Sequence, residues 1–188
     1  MSDPVPRATY QDLLDTPPNY LAEIVKGVLH TNPRPARSYR NAASVLAGEL
    51  YLPFRRGIGG PGKWALLDEP ELHLGTDPDI LIPDIAGWHR DRMPQIPMKD
   101  AAIFLAPDWV CEVLSPATEA IDRSDKMDIY ARESVAHLWL LDPRTQTLEV
   151  YRNDARLWSR VGAWRGASKV SAAPFDMVEL ELGVLWQD

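Results

Sequence analysis

Two carboxylates stand at the ends of apolar runs in this chain: Asp84 in Ile80-Leu81-Ile82-Pro83-Asp84-Ile85, and Glu112 in Trp109-Val110-Cys111-Glu112-Val113-Leu114-Ser115. An acid inside a strand that otherwise reads as core costs folding energy unless it is paired, hydrogen-bonded or bound to a metal. Alternation along a strand puts Asp84 on the face of Ile80 and Ile82, and Glu112 on the face of Val110 and Leu114. Side by side in one cleft, they can share a hard divalent cation such as Mg²⁺, which is held by one or two carboxylates together with waters and phosphate oxygens. Downstream, Asp122, Lys126 and Tyr130 recur at four-residue spacing and share a helix face. An ammonium there either orients a water and offsets charge on a phosphate, or forms an ordinary surface pair with Asp122.

The elements that must position these groups are legible in outline. Thr9 can cap a short helix that Pro17-Pro18 stops. The segments Leu21 to Val25 and Val28 to His30 meet across Lys26-Gly27, a spacing that predicts a tight hairpin. Glu23 shares a face with Leu21 and Val25, so it is a third inward acid if that face is core and a solvated one if the register is reversed. Apolar positions Tyr39, Ala42, Ala43, Leu46, Leu50 and Phe54 predict a long packing helix over 38–54. Strand-like segments follow at 64–67, 71–74, 80–88, 109–114, 137–142, 147–152, 157–161 and 178–182, with a helix over 122–133. Strand, helix and strand in succession after Glu112 predict a crossover connection. The whole is expected to be an α/β domain built on one curved mixed sheet flanked by helices.

At 188 residues, with 45% hydrophobic and 25% charged, the chain is long enough for one buried core and short for two, so a single domain over 1–188 is expected. No apolar run reaches the roughly 20 residues of a membrane span. Asp3, Pro4 and Pro6 replace the basic start and apolar block of a secretion signal, which points to the cytoplasm. A net charge of −7 argues against coating nucleic acid by bulk electrostatics but leaves room for a local basic groove. Arg34, Arg37 and Arg40, then Arg55 and Arg56, then Arg90 and Arg92, are clusters that read first as solvated surface. Cys111, the sole cysteine, lies in an apolar run and reads as a buried thiol. The four histidines have no mutual spacing suited to zinc. Trp64, Trp88, Trp109 and Trp139 read as core.

At Pro83-Asp84, Glu112-Val113-Leu114-Ser115-Pro116, the spaced Asp122, Lys126 and Tyr130, Val135 to Trp139 and Leu141-Asp142-Pro143, the chain resembles the Uma-two family of endonucleases, within the PD-(D/E)xK nuclease superfamily. Glu23 to Leu29 is similar to that family's opening hairpin, and the resemblance runs from about residue 8 to 182. It implies a restriction-endonuclease-like fold and Mg²⁺- or Mn²⁺-dependent hydrolysis of phosphodiesters, DNA before RNA. Asp84 and Glu112 are then metal ligands, the Val113 carbonyl a third, Glu23 an accessory acid and Lys126 the helix-borne counterpart of the superfamily's lysine. The usual place of that lysine, two residues after the acid, holds Leu114. Leu114 and the acidic composition favour a rival, a non-catalytic binding or scaffold protein that keeps the acidic pocket. A homodimer is expected on the nuclease reading, because two cuts in a duplex need two sites.

Overall fold

The computed structural model describes residues 7–34 and 36–187; Asp3, Pro4 and Pro6 lie outside them. Thr9 caps the short helix α1 (Tyr10–Leu14) in a reciprocal box with Asp12. Strands β1 (Tyr20–Val25) and β2 (Val28–Pro33) form the expected hairpin. Its two turn residues, Lys26 at φ 50° and Gly27 at φ 80°, both take the left-handed conformation that a two-residue turn between twisted strands requires.

Helix α2 (Arg37–Leu50) turns Ala42, Leu46 and Leu50 inward and runs into a π-helical turn, Tyr51–Arg55, which buries Phe54. Pro53 has no N–H to give, and the widened turn closes instead from the Arg56 N–H to the Tyr51 carbonyl at 3.1 Å. The strands that follow are β3 (Trp64–Asp68), β4 (Glu71–Leu74), β5 (Asp79–Leu81), β6 (Ile85–His89), β7 (Ala102–Ile103) and β8 (Trp109–Val113). A continuous helical stretch then comprises α3 (Glu119–Ile121), a π-helical turn (Asp122–Lys126) and α4 (Met127–Arg132). Strands β9 (His137–Asp142), β10 (Thr147–Asp154), β11 (Leu157–Arg165), β12 (Lys169–Val170) and β13 (Leu180–Glu181) complete the order, with a 3₁₀ turn at Leu182–Trp186.

The architecture is the expected α/β arrangement of mixed sheet flanked by helices, but the strands divide between two larger sheets where one was expected, because the chain crosses from one to the other at the Pro83 break. One has the order β11-β10-β9-β8-β6-β3, the other β2-β1-β5-β4-β7. In the first, only β8 and β9 run parallel, and the stretch 119–132 is the crossover between them. The sequence pattern predicts one strand over 80–88, but the chain leaves one sheet at Leu81 and enters the other at Ile85. Pro83 in that gap cannot donate to a ladder, so the break falls where pairing would be lost in any case. The strand expected over 178–182 shortens to Leu180–Glu181, because the 3₁₀ turn takes up Leu182.

The six-stranded sheet is covered on both faces. On one, Trp109, Trp139 and Phe175 pack with Phe54 and Trp64 beneath α2, with Phe175 within 5.6 Å of the other four rings. On the other, Val110, Leu114, Leu138 and Leu140 meet Ile129 and Tyr130 of α4 and Leu72, Leu74 and Leu81 of the second sheet. Each fully buried side chain of this size contributes about 1.5–3 kcal/mol by transfer from water. Cys111 lies on the α2 face, where burial pushes its thiol above the ordinary range. No helix among the described residues is long and apolar enough to cross a membrane.

Candidate active site

Four acids and one lysine converge where the two sheets and the crossover helix meet. Glu112, on the penultimate position of β8, shares the face of Val110 and Leu114 and points toward the helix, as alternation predicts. Glu23 on β1 is 3% exposed, so it is not the solvated acid of a reversed register. Asp84 departs from the predicted register: it lies between β5 and β6 and not within a strand. The break aims its side chain at the end of β8, where Oδ2 accepts the Val113 N–H at 2.7 Å. Glu23 is held in the same way, Oε1 accepting the Ile82 N–H at 2.7 Å.

The helix after β8 delivers the cation. Thr118 and Glu119 donate their N–H groups to the Ser115 carbonyl and start the first turn, and the π-helical turn then widens the backbone at Asp122–Lys126. Lys126 Nζ reaches Glu112 Oε1 at 2.8 Å, Glu23 Oε1 at 3.1 Å and Asp122 Oδ1 at 3.2 Å. Three carboxylates thus stand within ion-pair distance of one ammonium. One turn on, the Tyr130 hydroxyl donates to Glu112 Oε1 at 2.6 Å. The structure therefore brings Glu23, Asp84, Glu112, Val113 and Lys126 to one cleft.

It adds two groups that the candidate set lacks. Asp122 is 2% exposed, not a member of a solvated surface pair, and Tyr130 anchors Glu112 as well as packing. The signal for both was the four-residue spacing with Lys126, which places them on one face but cannot say what covers that face.

Four carboxylates against one ammonium leave an excess of negative charge in a poorly hydrated place. Burial lifts the Asp84 carboxyl to about 7, against the Val113 hydrogen bond and Lys126, which favour its ionised form. Glu112 is pushed well above the carboxylate range by burial, and Asp122, Glu23 and Asp84 add to the rise while Lys126 opposes it. For Lys126 burial disfavours the charge, but Glu112, Glu23 and Asp122 together outweigh it and hold the ammonium above the ordinary lysine range.

A raised acid pKa makes stability depend on pH with a definite sign. The folded chain keeps a proton on Asp84 between the ordinary value of 3.8 and about 7, while the unfolded chain releases it. The associated stability is present below 3.8 and is lost as pH rises through about 7. In metal-free urea denaturation, Asp84→Asn is therefore expected to be more stable than the parent above pH 7 by about 1 kcal/mol or more, the range of one shifted unit. The gap should close toward pH 4; a pH-independent gap would contradict the assignment.

The cavity among these groups has a volume of about 40 Å³, space for a cation with a few waters and too little for a nucleotide. Its donors are hard oxygens, and among the described residues no hydrogen bond reaches Asp84 Oδ1 or Glu112 Oε2. The described residues contain no ready-made cage of three or more His, Cys, Asp or Glu groups. A magnesium-type site, completed by waters and substrate oxygens, does not need one. The residues present thus fit such a cation. A second hollow of about 250 Å³ opens beside the first, between α2 and the β3 end, and Asp84 lines both.

Residues 7–183 match the model of the Uma2 family, described as putative restriction endonuclease. The fold is similar to the crystal structure of a putative nuclease from Anabaena variabilis ATCC 29413, with a TM-score of 0.73 and 20% identity over 95% of this chain and 97% of that one. At that identity the likeness is one of fold. No curated protein matches the chain.

Proposed function

This chain belongs to the Uma2 family of putative restriction endonucleases, and from that premise we propose that it is a divalent-metal-dependent endonuclease hydrolysing phosphodiester bonds in DNA. The observation that carries the reading is the convergence of Glu23, Asp84, Glu112 and Lys126 on one narrow cleft, with acids in excess of the one ammonium. Asp84, Glu112 and the Val113 carbonyl are the proposed ligands of Mg²⁺ or Mn²⁺. A bound ion of that class lowers the pKa of a water and offsets charge on the phosphate.

The chain's own groups do the positioning. Lys126 first gathers Glu23, Glu112 and Asp122, whose mutual repulsion would otherwise spread them. An N–H released from one of these carboxylates then holds the attacking water in line, and alignment of this kind accounts for much of the rate in such transfers. Glu23, fixed by Ile82, stands as the accessory acid that takes the water's proton. Tyr130 keeps Glu112 from turning away. The proposal extends to one domain over residues 1–188, working in the cytoplasm, with a homodimer supplying the two sites for a duplex cut.

One observation favours a second reading, a scaffold protein with a purely structural cluster: Lys126 is already ion-paired at short range with three carboxylates. Calorimetry with Mg²⁺ and Mn²⁺, run beside cleavage of plasmid and single-stranded DNA, separates the two. The enzyme reading expects saturable metal binding and cleavage that a chelator stops. A cleft silent to both ions at millimolar concentration sinks it and leaves the scaffold.

A further inference from the structure

We propose that the outward face of α2 seats the sugar-phosphate backbone of a DNA strand, with Arg37 and Arg40 as phosphate-binding residues that deliver the strand to Asp84. The inference rests on the nuclease reading and names how that site takes its substrate.

The face is set by helical spacing. Ala42, Leu46 and Leu50 are buried beneath α2, so Arg37, Arg40, Asn41, Ser44 and Gly48 are left outward, and all five are exposed. Among the described residues no carboxylate lies within 4.0 Å of the Arg37 or Arg40 guanidinium. Several arginines elsewhere are committed, Arg34 to Glu69, Arg92 to Asp108, Arg132 to Asp79 and Arg144 to Asp142, while Arg55, Arg56, Arg90, Arg156 and Arg165 share the lack of a carboxylate partner among the described residues but line neither hollow described below. Two cations without acidic partners on one helix face are available to an external anion in a way the paired ones are not.

Their place gives that anion a destination. A hollow of about 430 Å³ is lined by Arg37, Ser38, Arg40, Asn41 and Ser44. Arg40 and Ser44 also line the hollow of about 250 Å³ that contains Asp84, with Asp68 and Glu69 on its wall. The path from the arginines to the proposed metal ligand is thus continuous. The inner cavity of about 40 Å³ admits no nucleotide, so the scissile phosphate sits at its mouth, and the hollow of about 250 Å³ that Asp84 shares with Arg40 has room for it there. Residues three apart on a helix are separated by about 4.5 Å along the axis, comparable with the roughly 3.4 Å axial spacing of phosphates on one strand. Ser44 is small, and a Cβ built on Gly48 would meet nothing within 4 Å, so a backbone can approach the helix closely. A local source of positive charge is also needed, because a chain of net charge −7 repels a polyanion at long range.

The test is anisotropy of a fluorescent DNA duplex with Ca²⁺ in place of Mg²⁺, read over a salt series. Arg37→Gln with Arg40→Gln is expected to weaken binding at least about tenfold and to flatten the slope of log K against log salt by about 1.8, two phosphate contacts at 0.9 each. Arg152→Gln with Arg156→Gln removes as much charge from the β10–β11 hairpin and is expected to leave affinity within about twofold. Equal losses in both variants, no loss in the α2 variant, or no binding by the parent chain overturns the proposal. Preference for an RNA duplex of the same sequence overturns the choice of DNA. Cleavage by the parent separates the two readings. Cleavage with binding indifferent to the α2 arginines removes this inference alone. Binding that depends on them without cleavage under Mg²⁺ or Mn²⁺ removes the enzyme reading alone.

Discussion

Glu112→Gln is expected to lower metal-dependent DNA cleavage by about 10³-fold or more while leaving the fold at least as stable as the parent. The rate term is the several kcal/mol of charge stabilisation that a catalytic metal supplies, at 1.36 kcal/mol per tenfold. The stability term has the opposite sign because of where Glu112 sits. Its carboxylate is 2% exposed and faces Glu23, Asp122 and Asp84 as well as Lys126, so ionising it costs energy that an amide does not. The amide oxygen still accepts from the Tyr130 hydroxyl, and Lys126 keeps Glu23 and Asp122. A loss of activity without a loss of stability is what a ligand role requires and a packing role forbids. Plasmid nicking with Mg²⁺ or Mn²⁺, paired with thermal denaturation in chelator, reads both. Cleavage within threefold of the parent would remove Glu112 from the mechanism; a collapsed melting point would make it structural.

How far the sequence foretold this site depends on the element carrying each residue. Glu112 was readable because β8 has a regular strand on either side, β6 and β9, and alternation holds along a strand so confined. Asp84 reads from the sequence as a strand residue and stands instead in a break: the apolar run 80–88 hides the passage from one sheet to the other, and only Pro83 marks it. Alternation groups Glu23 with Leu21 and Val25 but does not say which face of β1 is core, because what covers that face is Lys126, more than a hundred residues away. Asp122 and Lys126 have the spacing of a surface pair. What buries them is Glu23 on β1 and Glu112 on β8, parts of two different sheets, and pairing so distant in sequence leaves no local pattern. The helix over 38–54 and the Lys26-Gly27 hairpin were legible since period and turn chemistry are local properties. The division of the strands into two sheets was not, for the same reason that Asp122 was not.

Lys126→Met is the substitution expected to cost most stability, about 3–5 kcal/mol, the range for removing one partner of a buried ion cluster. Methionine fills nearly the same volume, so packing is kept and the charge alone is tested. Without the ammonium, Glu23, Glu112 and Asp122 face one another at 4% exposure or less, each having lost its contact with Nζ. Glu112, which burial already pushes up, relieves the repulsion by keeping its proton, so the deficit should grow as pH rises from 5 to 9, the sign expected when the folded state binds more protons than the unfolded one. For a chain of this length the melting point falls by about 2–4 °C per kcal/mol, or about 6–20 °C in all. A deficit under 1 kcal/mol would place the lysine among ordinary exposed pairs. The metal enters as a second arm. A divalent ion that binds only the folded cleft stabilises it by mass action, and the excess negative charge is larger in the variant. Saturating Mn²⁺ should therefore raise the variant's melting point more than the parent's, whereas a purely structural cluster gives no such difference.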